Sequence, residues 1–437
     1  MTLTLCHCMV LVLLLHQDAP DTDRHGSIEL QKARQAFAKV QALCQKDAGK
    51  CWGKPLSGPW LFVDPQTRHV VANEPDAQGV LTAKAGLYVG QLPASIPAAN
   101  TSVNWLGTRW VMVLWPLPSK PMEQGALLMH ETWHRLQDAL GFPMTNPRNA
   151  HLEAQDGRYW LQLEWQALAK AMEATGDVRL RAIKDALLFR SVRRALFPNA
   201  RVEEQQLEMH EGLAEYTGLH LSGAALEEQR LYLVKELRER PKRLISFTRS
   251  FAYLSGPAYG LLLDGTPNSW RDGLKSTDDL GELLRKALHL PEVQPDHKAA
   301  QTAALAYDGA VLLAAEKKRD EQQKAQRDKI EALYVQGPVL VLPLRMMQIQ
   351  LNPNRVIQID KLGTLYQEAR ISDQWGVLQT KEGVLISDDF TKAIVPVPRD
   401  RQMKPLQGPG WEITLADGWD IAAGPRHGDW HVAQIKK

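Results

Sequence analysis

The five residues His130-Glu131-Thr132-Trp133-His134 constrain this chain more than any other stretch. They fall inside a segment, Pro121 to Leu140, that reads as one helix stopped by Gly141-Phe142-Pro143. Two histidines four apart on a helix lie about one turn apart on the same face, where both imidazoles can bind one tetrahedral zinc ion through nitrogen. Glu131 lies about 100° round from His130 and about 60° from His134. That puts a carboxylate beside the metal without using a ligand position, where it can accept a proton from an activated water. The fold must therefore bury this helix and bring a third ligand to it.

Zinc with two histidines needs one more protein ligand and an open position. The first candidate is Glu211, in Glu208-Met209-His210-Glu211-Gly212-Leu213-Ala214-Glu215-Tyr216, on a second predicted helix. Glu215, one turn further, points the same way and can hold the far nitrogen of a ligating histidine. The rival is Glu153, with eighteen residues between it and His134. Its surroundings, His151-Leu152-Glu153-Ala154-Gln155, look less like a ligand helix, so the reading favours Glu211.

The pair of helices resembles the gluzincin group of zinc metallopeptidases, the thermolysin-like and aminopeptidase-like enzymes. The likeness covers roughly residues 108 to 264. It implies His130, His134 and Glu211 as metal ligands, Glu131 as general base, and peptide or protein as substrate. Glu211 lies further from the second histidine than is usual there, which reads as a helical hairpin, 150 to 196, inserted between the two zinc helices. The resemblance also extends to Tyr253-Leu254-Ser255-Gly256, similar to a Y-x-x-G run whose tyrosine donates to the oxyanion, with Tyr259 as competitor. It further implies that the strand Arg109 to Trp115 is an edge that pairs with extended substrate.

Around this region the texture changes twice. Residues 27 to 45 read as a helix, and short strands follow from Trp52 to Trp115, the strongest being Thr108 to Trp115. Helices are expected over 150–174, 178–195, 201–221, 225–239, 242–254 and 256–264, with a long one over 298–334. Beyond Gly337 the chain alternates apolar strands with Gly, Pro and Asp turns, as in a sandwich or barrel. The expected fold class is α+β: a strand-rich N-terminal part (20–118), a mainly helical zincin-like domain (119–295), a long helix linker (296–335) and a small all-β domain (336–437).

The formal net charge is +2 among 437 residues, which argues against a nucleic acid backbone as partner. No stretch beyond the extreme N-terminus is apolar enough to span a bilayer stably. Leu5 to Leu15 has the length of a signal-peptide core, although no Lys or Arg precedes it, so residues 1–19 are expected to direct a secreted or periplasmic protein. Cys6 and Cys8 lie within that segment. In an oxidising compartment Cys44 and Cys51 could close a small disulfide loop. The expectation is zinc-dependent peptide hydrolysis. The alternative is an inactive or non-peptidase zinc fold whose C-terminal β domain does the recognising.

Overall fold

The computed structural model describes residues 28–93, 95–267, 269–351, 356–359 and 362–435. The expected export segment, with Cys6 and Cys8, lies outside the described residues. The chain divides into two compact units, with the boundary between Lys317 and Lys318. The chain as a whole is α+β: the first unit combines a sheet with helices, and the second is built mainly of β sheets. No described helix is long and apolar enough to cross a membrane.

The first unit opens with α1 (Leu30–Asp47), followed by six strands: β1 (Trp60–Val63), β2 (His69–Ala72), β3 (Thr82–Lys84), β4 (Leu87–Gln91), β5 (Thr101–Trp105) and β6 (Thr108–Leu114). They form one sheet in the order β3-β4-β2-β1-β6-β5. Alternation along the strands sends Trp60, Phe62, Val71, Val111 and Val113 into the main core with the helices. Leu61, Val63, Val70, Trp110 and Met112 form a second cluster on the opposite face. Phe37 of α1 stacks on Phe62 with ring centroids 4.3 Å apart. β6 is not the edge strand that the sequence suggested. It pairs in parallel with β1 and antiparallel with β5, because its central residues bury both faces, and β5 is the outer strand.

The helices follow: α2 (Pro121–Leu136), α3 (Gln155–Glu173), α4 (Gly176–Leu196), α5 (Ala200–Leu207), α6 (Leu213–His220), α7 (Leu226–Glu239) and α8 (Ala252–Asp264). Between α5 and α6 the helix continues through a π-helical turn, Glu208–Gly212. α2 and α6 approach closely because position 218 is glycine: a Cβ there would come within 2.5 Å of the Ala126 carbonyl oxygen and 3.1 Å of the His130 Cβ. The expected helix over 242–254 does not form. Pro241 sits in a short 3-10 turn, residues 243–251 run as turns, and α8 begins only at Ala252.

A buried ionic cluster fixes the segment that leads to the π turn. Arg193 donates to Glu164 at 2.5 Å and to Glu204 at 2.7 Å. Arg190 reaches Glu208 at 2.5 Å, and Arg194 reaches Asp279 at 2.7 Å. Each carboxylate taken out of water here meets a guanidinium in hydrogen-bonding geometry, which is the condition for burying such charges. Tyr259 belongs to this cluster, donating to Glu164 at 2.7 Å.

The unit closes with α9 (Leu280–Ala287), α10 (His297–Ala304) and the start of α11 (Gly309–Glu331). The single helix expected over 298–334 is thus broken, at Asp308, which adopts a left-handed φ of 54°. Cys44 and Cys51 are separate buried thiols, and burial pushes each up to about 12.

Among the described residues the second unit holds two sheets. One has seven strands, in the order β17 (Trp419–Ala423), β18 (Trp430–Gln434), β7 (Val339–Pro343), β14 (Lys392–Pro396), β13 (Val384–Ile386), β10 (Gly363–Tyr366) and β9 (Val356–Ile359). The other has five, in the order β15 (Leu406–Gly408), β16 (Trp411–Leu415), β12 (Gly376–Thr380), β11 (Ala369–Asp373) and β8 (Gln348–Leu351). Leu340, Leu342 and Val395 from the first sheet and Ile371, Leu378 and Ile413 from the second share one core.

Candidate metal centre

α2 carries His130, Glu131 and His134 on its buried side, with exposures of 1%, 0% and 9%. The Nε2 atoms of His130 and His134 lie 3.1 Å apart. Glu211, on the π turn, places its Oε2 3.7 Å from the first and 3.5 Å from the second. Three buried donor atoms from two helical segments thus form a small triangle. Bonds of 2.0–2.1 Å to a tetrahedral ion separate adjacent ligand atoms by roughly 3.3–3.4 Å. The observed edges lie close to that range. Two imidazole nitrogens and one carboxylate oxygen are a donor set that suits zinc.

The partners of the far nitrogens favour the tautomer in which the Nε2 atoms can coordinate. His130 donates its Nδ1–H to Glu215 Oε2 at 2.8 Å, and His134 donates its Nδ1–H to Gln137 Oε1 at 2.7 Å. With one proton held on Nδ1, the neutral form of each ring presents an Nε2 lone pair to the triangle. In the metal-free site a proton competes for the same position. Burial alone would lower His134, but the hydrogen bond and charge of Glu211 and the charge of Glu131 outweigh it and raise His134 to about 9.

Glu211 is held on both oxygens. Arg249 donates to Oε1 at 2.9 Å and the Tyr253 hydroxyl donates to Oε2 at 2.6 Å. Arg249 also donates to Asn146. Burial, together with the Glu211 charge, keeps Tyr253 well above its ordinary value, so the phenol stays a proton donor. Its ring stacks on that of His130 with centroids 5.8 Å apart. A glycine pair permits this approach: a Cβ at Gly256 of α8 would come within 2.3 Å of Gly212 Cα.

Glu131 is different. Neither of its carboxylate oxygens has a hydrogen-bond partner among the described residues, although both are buried. Burial pushes its carboxyl up; the charges of His130 and His134 oppose this and those of Glu211 and Glu215 add to it. An unsatisfied buried carboxylate beside a candidate cation site is costly unless something occupies the space in front of it.

The other sequence candidates fall elsewhere. Glu153 is exposed, in a short 3-10 turn, and accepts from Ser246 at 2.7 Å. Tyr259 lies in the ionic cluster. Three neighbours of the centre were not read from the sequence. Gln137 stands three residues after His134, a spacing that would have revealed it. His210 packs edge-on against His134 with ring centroids 5.2 Å apart and donates Nδ1–H to the Thr145 carbonyl at 2.9 Å. Burial, with the His134 charge, lowers His210 to about 4 against the pull of Glu211, so it is neutral. Arg249 had no sequence signal, because it sits in the turns before α8.

No family model, curated protein or solved structure matches the chain.

Proposed function

We propose that the first unit is a zinc-dependent hydrolase of the gluzincin kind, acting on peptide bonds. The observation that carries this reading is the unpartnered, buried Glu131 carboxylate beside the His130, His134 and Glu211 triangle. His130, His134 and Glu211 would hold the ion through Nε2, Nε2 and Oε2. A bound zinc ion supplies Lewis acidity, allowing water to ionise near pH 7 and polarising a carbonyl.

The remaining work falls to side chains. Glu131 accepts the proton as the water oxygen bonds to the carbonyl carbon, and returns it to the leaving amine as the C–N bond breaks. Glu215 and Gln137 keep the two imidazoles in the ligating tautomer and orientation. Arg249 anchors the outer oxygen of Glu211. Tyr253 is the candidate donor to the developing oxyanion, a role worth on the order of 10² to 10³ in turnover. Its single O–H now goes to Glu211, so this role requires the phenol to turn toward substrate.

Glu131→Gln is the direct test. It removes the base and leaves the three ligands, so zinc content should stay at that of the parent while cleavage of a quenched peptide library falls by at least 10²-fold. Undiminished cleavage would remove Glu131 from this role. Stoichiometric zinc with no hydrolysis of any peptide by the parent protein would favour the alternative, a zinc-holding binding protein.

A further inference from the structure

A concavity of about 290 Å³ opens where the ends of α1 and α6 meet the segment after α8. Its lining carries basic side chains from three separate stretches of chain: Lys46 and Lys50, His220, and Arg271. One carboxylate lines it, that of Asp47. Asp47 accepts from the backbone N–H groups of Gly49 and Cys51 at 3.1 and 2.9 Å, so it serves the turn that ends α1. Among the described residues neither Lys46 nor Lys50 forms an ion pair.

Arg271 is fixed in place. It donates to Asp264 at 2.5 Å, and its guanidinium lies 5.2 Å from the Trp270 ring centroid and 5.8 Å from that of Tyr216. His220 reaches the other oxygen of Asp264 at 3.2 Å. Arg271 also donates to the Tyr216 hydroxyl, and both of these bonds leave from Nη1. A guanidinium has five N–H groups in a rigid fork, so these two acceptors do not exhaust it. Two lysines without an ion pair and a fixed guanidinium, all on the wall of one concavity, concentrate anions there.

We propose that this cavity binds a small free oxyanion carrying two or more negative charges, of the phosphate class, held by Lys46, Lys50 and Arg271. Charge-assisted hydrogen bonds from ammonium and guanidinium groups are the chemistry that recognises such an anion. The volume admits a phosphate-sized ion with some water, and is too small for a folded segment or a polymer chain. The site is independent of the metal centre and of the hydrolytic reading.

The test is calorimetric titration of the full chain with inorganic phosphate, against chloride at matched ionic strength, for the parent and for Lys46→Gln/Lys50→Gln. Both lysines are exposed, so the variant should fold, and an unchanged thermal midpoint in chloride checks this. Saturable one-to-one uptake by the parent, weakened at least tenfold in the variant, supports the site. Absence of saturable uptake by the parent overturns it. So does uptake that persists unchanged in the variant, which would place the anion elsewhere, for example at the metal.

Discussion

His130 and Glu215 are joined by a 2.8 Å hydrogen bond between α2 and α6, so the orientation of the first imidazole is set by a helix other than its own. Glu215→Gln keeps an acceptor of the same shape but removes the carboxylate charge that receives the Nδ1–H of His130. Zinc affinity should fall by about 10- to 100-fold. Competition against a chromophoric chelator measures it, and equal affinity in the two proteins would show that Glu215 serves only packing.

Gly256→Ala tests whether the contact between α8 and the π turn sets the position of Glu211. The new methyl would collide with the Gly212 backbone, which is not a flexible side-chain tip that can swing away. Overpacking of this kind costs about 1–3 kcal/mol. Urea denaturation should show that loss. Zinc affinity should fall with it, because Tyr253 and Glu211 ride on the two backbones that are forced apart.

Acid should weaken the first unit partly through Asp264. Burial pushes this carboxyl up, but hydrogen bonds from His220 and Trp270 and the charges of His220 and Arg271 prevail and hold it at about 2. A carboxyl depressed below its ordinary 3.8 contributes stability above that pH and loses it as pH falls toward 2. The contribution is on the order of 2 kcal/mol. Thermal or urea unfolding between pH 5 and 2 should therefore fall less steeply in Asp264→Asn than in the parent. Parallel acid limbs would contradict the assignment.

What could be read from the sequence depended on how local its cause was. The His130-Glu131-His134 pattern is set by helix geometry alone, and Glu211 and Glu215 announced themselves as a second carboxylate pair at helical spacing. Arg249 reaches Glu211 only because the chain fails to form helix after Pro241, a choice made by tertiary packing. The cluster of Glu164, Arg190, Arg193, Glu204 and Glu208 could not be told from solvated helix faces, since burying such charges depends on partners far away in sequence. The break at Asp308 has a weak local signal, an Asp-Gly pair inside an otherwise helical run. The interior place of β6 is a matter of which strands pair, which its own apolar alternation does not specify.

X-ray absorption at the zinc edge, on the full chain loaded with one equivalent of metal, decides whether His130, His134 and Glu211 hold one zinc ion as proposed. The expected result is a first shell of nitrogen and oxygen at about 2.0–2.1 Å, with outer-shell scattering from two imidazoles and no sulfur, and loss of stoichiometric zinc in Glu211→Ala. A sulfur ligand at about 2.3 Å, a single imidazole, or a protein that retains no zinc would contradict it.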